Sequence, residues 1–203
     1  MSDQKIDKYA EDLATIKSIL MDVEIRPFLE PWAFISWGGS VLLGTILHFI
    51  LRNYVGLTLE QISLYMWVPV FVLGIFFEVV AWLRRMSREA MPLFPKPVVK
   101  LFIALTGIIA ALGFMIAIVS KHTGISYVPH FILASFGICL IYYGQIALMS
   151  YFAYGYFLII CAFLFYLIPL TPDQSYFVAG LLLSGTFFGA AISTYRSEKR
   201  AHD

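Results

Sequence analysis

The stretch from residue 130 to residue 169 reads HFILASFGICLIYYGQIALMSYFAYGYFLIICAFLFYLIP and contains no Asp, Glu, Lys or Arg. As one straight helix it would be about 60 Å long, roughly twice the apolar thickness of a bilayer. It therefore has to turn back once, and we expect the turn near Met149 and Ser150. This stretch alone predicts two membrane-spanning helices, at about 130–148 and 151–169.

Further apolar segments of spanning length lie on both sides of this stretch. They cover about 32–51, 59–83, 98–120 and 175–195. The composition agrees, because 60% of the residues are hydrophobic and 13% are charged, whereas soluble domains carry about 25% charged residues. The predicted fold class is an all-α integral membrane protein, with a six-helix transmembrane bundle formed by residues 28–203.

The distribution of Lys and Arg predicts the orientation of these spans, since basic residues concentrate in cytoplasmic loops. If the N-terminus is cytoplasmic, two of the 14 basic residues, Arg52 and Lys121, fall outside. The other twelve fall on the cytoplasmic side: Lys5, Lys8, Lys17, Arg26, Arg84, Arg85, Arg88, Lys96, Lys100, Arg196, Lys199 and Arg200. This bias predicts that both termini are cytoplasmic. The short external loops suit a bacterial inner membrane.

The N-terminal segment, residues 1–27, is predicted to be a cytoplasmic amphipathic helix that ends at Pro27. Apolar residues recur in it at alternating spacings of three and four: Ile6, Tyr9, Leu13, Ile16, Leu20 and Val23. Acidic residues outnumber basic ones six to four up to Arg26, which disfavours docking on anionic lipid. Two interpretations stay open: residues 6–23 form a seam with a second copy or a partner subunit, or they pack on this protein's own cytoplasmic face.

Glu78 is the acidic residue placed well inside a predicted span. A charged side chain near the bilayer centre costs about 2.5–3.5 kcal/mol on insertion scales, so such residues usually have a function. Gln145, Ser36, Ser193 and Thr194 are predicted at a similar depth and could form an inner polar layer with it. Such a layer is typical of proton coupling or cation binding. A Glu that only hydrogen-bonds to a neighbouring helix fits the sequence equally well.

Three histidines, His48, His122 and His130, lie near the predicted outer interface. They could bind a transition metal, or two of them could hold haem. They lack the local spacing of a known site, so interfacial packing is the preferred interpretation, and we expect no cofactor or metal.

Small residues also recur every four positions in two spans, which predicts close helix packing. They are Ser36, Ser40 and Gly44 in the first span, with His48 following at the same spacing, and Gly185, Gly189 and Ser193 in the last.

These observations favour a small transporter or channel-like membrane protein, with Glu78 and Gln145 lining the polar path. The alternative is a membrane-embedded regulatory or accessory subunit that binds a cytoplasmic partner through its N-terminal helix. A third possibility is a haem- or metal-binding membrane protein. The sequence contains no catalytic motif, so we expect no enzyme activity and name no catalytic residue. A net charge of +1 without a basic aromatic run disfavours nucleic-acid binding.

Overall fold

The computed structural model describes residues 30–89, 125–145, 148–168 and 170–202. These ranges are helical apart from short connections. Helix α1 covers Pro31–Ile50 and continues into a π-helical turn, Leu51–Val55. After a short loop, α2 (Leu59–Ile62), a second π-helical turn (Ser63–Trp67) and α3 (Val68–Glu89) follow without a break. A 3₁₀ turn, Ile125–Tyr127, leads into α4 (Val128–Gly144), and α5 (Ser150–Leu167) and α6 (Pro172–His202) complete the described chain.

Four helical stretches are long and apolar enough to cross a membrane. They are Pro31–Val55, Leu59–Arg85, Ser150–Leu167 and Pro172–Arg200, while α4 is a somewhat shorter apolar helix. Large hydrophobic side chains also remain exposed on the outside of the bundle, for example Leu43, Phe76 and Phe163. Such a surface suits lipid and would be costly in water. The architecture is therefore that of an all-helical, multi-pass membrane protein.

Five of the predicted spans overlap described helices, with shifted ends. The break between the fourth and fifth spans comes earlier than expected, because α4 ends at Gly144 and α5 begins at Ser150. The predicted span at 98–120 and the N-terminal helix at 1–27 lie outside the described residues. The count of six spans and the cytoplasmic placement of both termini therefore stay predictions.

Local sequence signals explain where two of the helices begin. Thr58 and Gln61 form a capping box before α2, in which each residue's backbone N–H donates to the other's side-chain oxygen. Thr171 and Gln174 repeat the same reciprocal pair at the start of α6. Both pairs satisfy backbone donors that a helix start otherwise leaves open. The turn ahead of the first box is made by Gly56, whose φ of 74° suits glycine.

Two antiparallel helix pairs, α1 with α6 and α4 with α5, make the most extensive contacts in the described bundle. In the α4–α5 pair the backbones touch, since a Cβ on Gly137 would lie 2.8 Å from the carbonyl oxygen of Gly155. In the α1–α6 pair the Ser184 hydroxyl donates a hydrogen bond of 2.8 Å to the carbonyl oxygen of Gly38. Small side chains allow both approaches, as expected for helices packed in lipid.

Four rings fill the middle of the bundle, each from a different helix. They are Trp37 of α1, Phe71 of α3, Phe136 of α4 and Phe187 of α6, and we call them the aromatic cluster. The Trp37 ring stacks on Phe187 at 5.5 Å and meets Phe136 edge-on at 5.7 Å. Phe71 stacks on Phe136 at 6.0 Å. The cluster therefore ties α1, α3, α4 and α6 together at one level.

The bundle has two ends, which we name after a residue at each. The Asp173 end holds the start of α6, the end of α1 and the start of α2, joined by contacts from Asp173 and Tyr176. The Arg85 end holds the end of α3, the start of α5 and the end of α6, where Tyr151 lies within electrostatic range of Arg85 and Glu198. Helices α2–α3, α4 and α6 all run from the Asp173 end towards the Arg85 end.

Candidate functional site

Glu78 contacts the indole of Trp37 across the α1–α3 interface. The Trp37 Nε1–H donates to Glu78 Oε2 over 3.3 Å. Among the side chains that the structure describes, this is the one hydrogen bond to the Glu78 carboxylate, and neither described ion pair includes it. Gly74, one turn earlier on α3, makes the approach possible, because a Cβ there would lie 2.5 Å from the indole ring. The Glu78 carboxylate therefore accepts from a neutral donor. Among the described residues, no cationic side chain forms an ion pair with it.

Trp37 links this carboxylate to the aromatic cluster. Its indole N–H points to Glu78 while its ring stacks on Phe187 and touches Phe136. The ring is nearly fully buried, so it can move only if its neighbours also move. A change in the charge of Glu78 would therefore act on a side chain that packs in the aromatic cluster.

Ser193 and Thr194, two members of the predicted polar layer, bond to tyrosines of α5. The Tyr154 hydroxyl donates to the Gly189 carbonyl at 3.0 Å and lies 2.9 Å from Ser193 Oγ. The Thr194 hydroxyl donates to the Ala190 carbonyl at 2.8 Å and meets the Tyr151 hydroxyl. Because the hydroxyl protons of Tyr154 and Thr194 go to carbonyls, Ser193 and Tyr151 act as donors in the side-chain pairs.

The other two predicted members of the layer occupy different surroundings. Ser36 is half-buried on α1, one residue before Trp37. Gln145 follows the last residue of α4 and is exposed, because that helix ends earlier than the sequence suggested. The described residues thus form an α5–α6 hydroxyl contact and, separately, the Glu78–Trp37 pair.

At the Asp173 end, His48 lies in a second polar arrangement. It is 3% exposed, and its Nδ1 accepts a hydrogen bond of 3.1 Å from Trp67 Nε1. An Nδ1 that accepts carries no proton, so the hydrogen-bond network assigns the neutral ring's proton to Nε2. Nε2 faces Asp173 Oδ1 at 3.9 Å, and the imidazole stacks on Tyr176 at 5.1 Å.

Arg52 completes this arrangement, which we call the His48–Asp173–Arg52 cluster. Its Nε donates to Asp173 Oδ1 over 3.1 Å and its Nη1 donates to the Leu57 carbonyl over 2.9 Å. The cluster joins the end of α1, the loop before α2 and the start of α6. The sequence pattern alone did not single out Asp173 or the pairing of Arg52. A usable signal was present, since both residues flank spans on the same predicted side of the membrane.

His130 lies apart from His48 in the contacts that the structure records. Its ring packs against Tyr127 at 5.6 Å and edge-on against Phe165 at 6.0 Å. Its Nδ1 is buried and has no hydrogen-bond partner among the described residues. His122, the third predicted histidine, lies outside the described ranges. Within those ranges, no group of three or more His, Cys, Asp or Glu side chains is placed to hold a metal ion.

Comparisons with known protein families, with curated proteins and with solved structures find no match. A functional argument therefore has to come from the chemistry of these residues. The Glu78–Trp37 pair and the His48–Asp173–Arg52 cluster are the two arrangements from which it can start.

Proposed function

We propose that this chain is a small proton- or cation-coupled membrane transporter, or a channel-like protein, in which Glu78 is the coupling carboxylate. The observation that carries the proposal is the Glu78–Trp37 pair, a carboxylate inside a membrane-spanning helix with a neutral indole as its described hydrogen-bond donor. A charge at that depth costs about 2.5–3.5 kcal/mol. One neutral hydrogen bond offsets only part of this cost. Exchange of a bound proton or cation at Glu78 is the function that such a site suits.

Trp37 supplies the coupling in this proposal. Hydrogen bonds to a charged acceptor are roughly twice as strong as those to a neutral one. Protonation of Glu78 therefore weakens its hold on the Trp37 indole, and loss of the proton strengthens it. Because the same indole packs in the aromatic cluster, the cluster acts as a gate that responds to the charge on Glu78.

We also propose six spans with both termini in the cytoplasm. Glu89 lies at the Arg85 end and Ile125 at the Asp173 end, so the connection between them joins opposite ends of the bundle. The predicted span at 98–120 has the length to do so. Within the described ranges the Asp173 end has one basic residue, Arg52, and the others follow the spans at the Arg85 end: Arg84, Arg85, Arg88, Arg196, Lys199 and Arg200. This bias favours a cytoplasmic Arg85 end.

Single-cysteine labelling tests the topology. After Cys139 and Cys161 are replaced by alanine, a membrane-impermeant maleimide should label Tyr54→Cys and Gly124→Cys only from outside. The same reagent should label Ser2→Cys and His202→Cys only from the cytoplasmic side. Tyr54 is 81% exposed in the structure, so its access depends on its side of the membrane. Labelling of Gly124→Cys from the cytoplasm would overturn the six-span arrangement.

Ion flux into liposomes tests the role of Glu78. The parent protein should carry a proton- or cation-driven flux, and Glu78→Gln should reduce it at least tenfold because an amide cannot exchange a proton. The variant should keep equal or higher thermal stability, since it retains an acceptor for Trp37 and removes a charge. Glu60→Gln is the matched control, because Glu60 is exposed on α2. Full flux in Glu78→Gln would show that Glu78 does not couple transport.

A membrane-embedded regulatory or accessory subunit is the second candidate. The closed aromatic cluster and the touching backbones at Gly137 and Gly155 favour it, since both suit a bundle that conducts no solute. In that case Glu78 fastens α3 to α1, and residues 6–23 bind a cytoplasmic partner. A parent protein without flux, with Glu78→Gln as stable as the parent, would favour this candidate over transport.

A further inference from the structure

Two cavities meet at the Asp173 end of the α4–α5 pair and share Tyr127, His130 and Tyr166. The first, the head pocket, has a volume of about 440 Å³ and is also lined by Ser126, Phe165 and Ser175. The second, the tail groove, has a volume of about 480 Å³ and runs along α4 and α5. Beyond the three shared residues it is lined by Phe131, Ala134, Ile159, Ala162 and Phe163.

The head pocket contains hydrogen-bonding groups and the tail groove is almost wholly apolar. Serine and tyrosine residues line the head pocket together with His130. The Nδ1 atom of its imidazole is buried without a hydrogen-bond partner among the described residues. Buried polar atoms in native proteins are nearly always paired, so His130 has hydrogen-bonding capacity that the described residues do not use.

The positions of the two cavities along the helices match the polar head and the apolar chain of a lipid-like molecule. Ser126 and Tyr127 precede α4, and Pro172 begins α6, so the head pocket lies where the helices start. The tail groove continues from there along the apolar helix surfaces. A polar head at the membrane boundary with a chain directed into the apolar layer would fit both cavities at once.

We infer that the head pocket and tail groove together bind an uncharged amphiphile, with a hydroxyl or carbonyl head beside His130 and an apolar chain along α4 and α5. None of the described residues lining either cavity is charged. An anionic headgroup would lose its water there without gaining a cation, which disfavours phospholipids. A monoacylglycerol and a quinone both have the required chemistry, and the rings of Tyr127, Phe165 and Tyr166 could stack on the latter. This inference does not depend on Glu78.

Photolabelling of the full chain in phosphatidylcholine nanodiscs tests the site. A trace of monoacylglycerol carrying a diazirine in its chain should label α4 and α5 around Ala134, in a saturable manner. Unlabelled monoolein and decylubiquinone should both compete, and the one with the lower half-maximal concentration identifies the head. A diazirine lysophosphatidic acid should label the site at least tenfold less. Equal labelling by this anionic probe, or labelling that does not saturate, would overturn the proposal.

Variants localise the labelling to the proposed cavities. Ala134→Phe fills the tail groove and should lower saturable labelling at least tenfold. Ala153→Phe is the matched control, since Ala153 is exposed on α5 and lines neither cavity. His130→Phe keeps a ring but removes both ring nitrogens, and should weaken competition by either ligand at least threefold. If Ala134→Phe is labelled as strongly as the parent protein, the proposal is wrong.

A crosslinker placed in the groove distinguishes a lipid occupant from a protein one. With p-benzoylphenylalanine in place of Phe163, the expected product is an adduct with the added monoolein, detected by mass. A crosslink to residues 98–120 of the same chain, or to a second copy, would show that protein fills the tail groove and would overturn the proposal.

Discussion

Two tryptophans join α1 to the α2–α3 segment, and their surroundings differ in charge. At the Asp173 end, Trp67 donates to His48, which faces Asp173, and Asp173 pairs with Arg52. Nearer the Arg85 end, Trp37 donates to Glu78, and the described side chains supply no cation. The two hydrogen bonds have similar lengths, 3.1 Å and 3.3 Å. They differ in the further partners of the acceptor: His48 faces the Asp173–Arg52 ion pair, whereas Glu78 has no charged partner among the described side chains.

This difference separates a structural contact from a candidate functional one. In the His48–Asp173–Arg52 cluster the imidazole and the guanidinium both face the Asp173 carboxylate, although His48 Nε2 makes no hydrogen bond within the described residues. The arrangement can therefore fasten α1 to α6. Glu78 has a neutral donor among the described side chains, and under the proposed function its charge is neutralised by an exchangeable proton or cation. Variants at the Asp173 end should therefore change stability, whereas Glu78→Gln should change flux more than stability.

The largest stability effect is expected for His48→Leu. This change removes the acceptor of the Trp67 N–H, and Trp67 is only 8% exposed. A buried donor left without a partner costs about 1–3 kcal/mol. The free energy of unfolding in detergent, measured by denaturant titration, should fall by that amount.

A double-mutant cycle assigns this loss to the hydrogen bond. Trp67→Phe removes the donor, so His48→Leu should cost less in that background than in the parent. Equal costs in both backgrounds would show that His48 contributes through packing on Tyr176 instead.

Gly74→Ala should have the second-largest effect and should change both stability and flux. The added methyl group would meet the Trp37 indole and push it away from Glu78. Overpacking of this kind costs about 1–3 kcal/mol, and any flux should change with it. Gly39→Ala and Gly185→Ala are matched controls, because a Cβ at either position meets nothing within 4 Å. Both controls should be neutral or more stable by up to about 1 kcal/mol. A Gly74→Ala protein that behaves like them would show that Trp37 is loosely held.

Hydropathy and charge were enough to predict the helical membrane class and the approximate position of every described span. They could not predict which helix faces meet. The small-residue pattern made no distinction between Gly185 and Gly189, yet Gly189 approaches Tyr154, whereas a Cβ on Gly185 meets no described atom within 4 Å. The close backbone approach between Gly137 and Gly155 belongs to neither predicted pattern. A period of four marks one face of one helix and leaves its neighbour undetermined.

The candidate site shows the same limit. Insertion cost singled out Glu78 in the sequence, because that cost depends only on residue type and depth. Its partner Trp37 is 41 positions away, and Arg52 and Asp173 are separated by 121. Pairs so distant in the chain have no local spacing that reveals them. They are defined by the packing of α1 against α3 and α6.

Arg52→Gln should have the smallest effect. The side chains of Arg52 and Asp173 are 36% and 44% exposed, so water and salt screen their attraction. Exposed ion pairs contribute about 0–1 kcal/mol, and the loss should shrink as salt is raised. Arg196→Gln, an exposed arginine at the Arg85 end, is the matched control and should be neutral at every salt concentration. A loss as large as that of His48→Leu, unchanged at high salt, would mean that the Arg52 bond to the Leu57 carbonyl holds the loop before α2. The Asp173 end would then be fastened by backbone contacts. The presence of a cationic partner would no longer be what distinguishes Asp173 from Glu78.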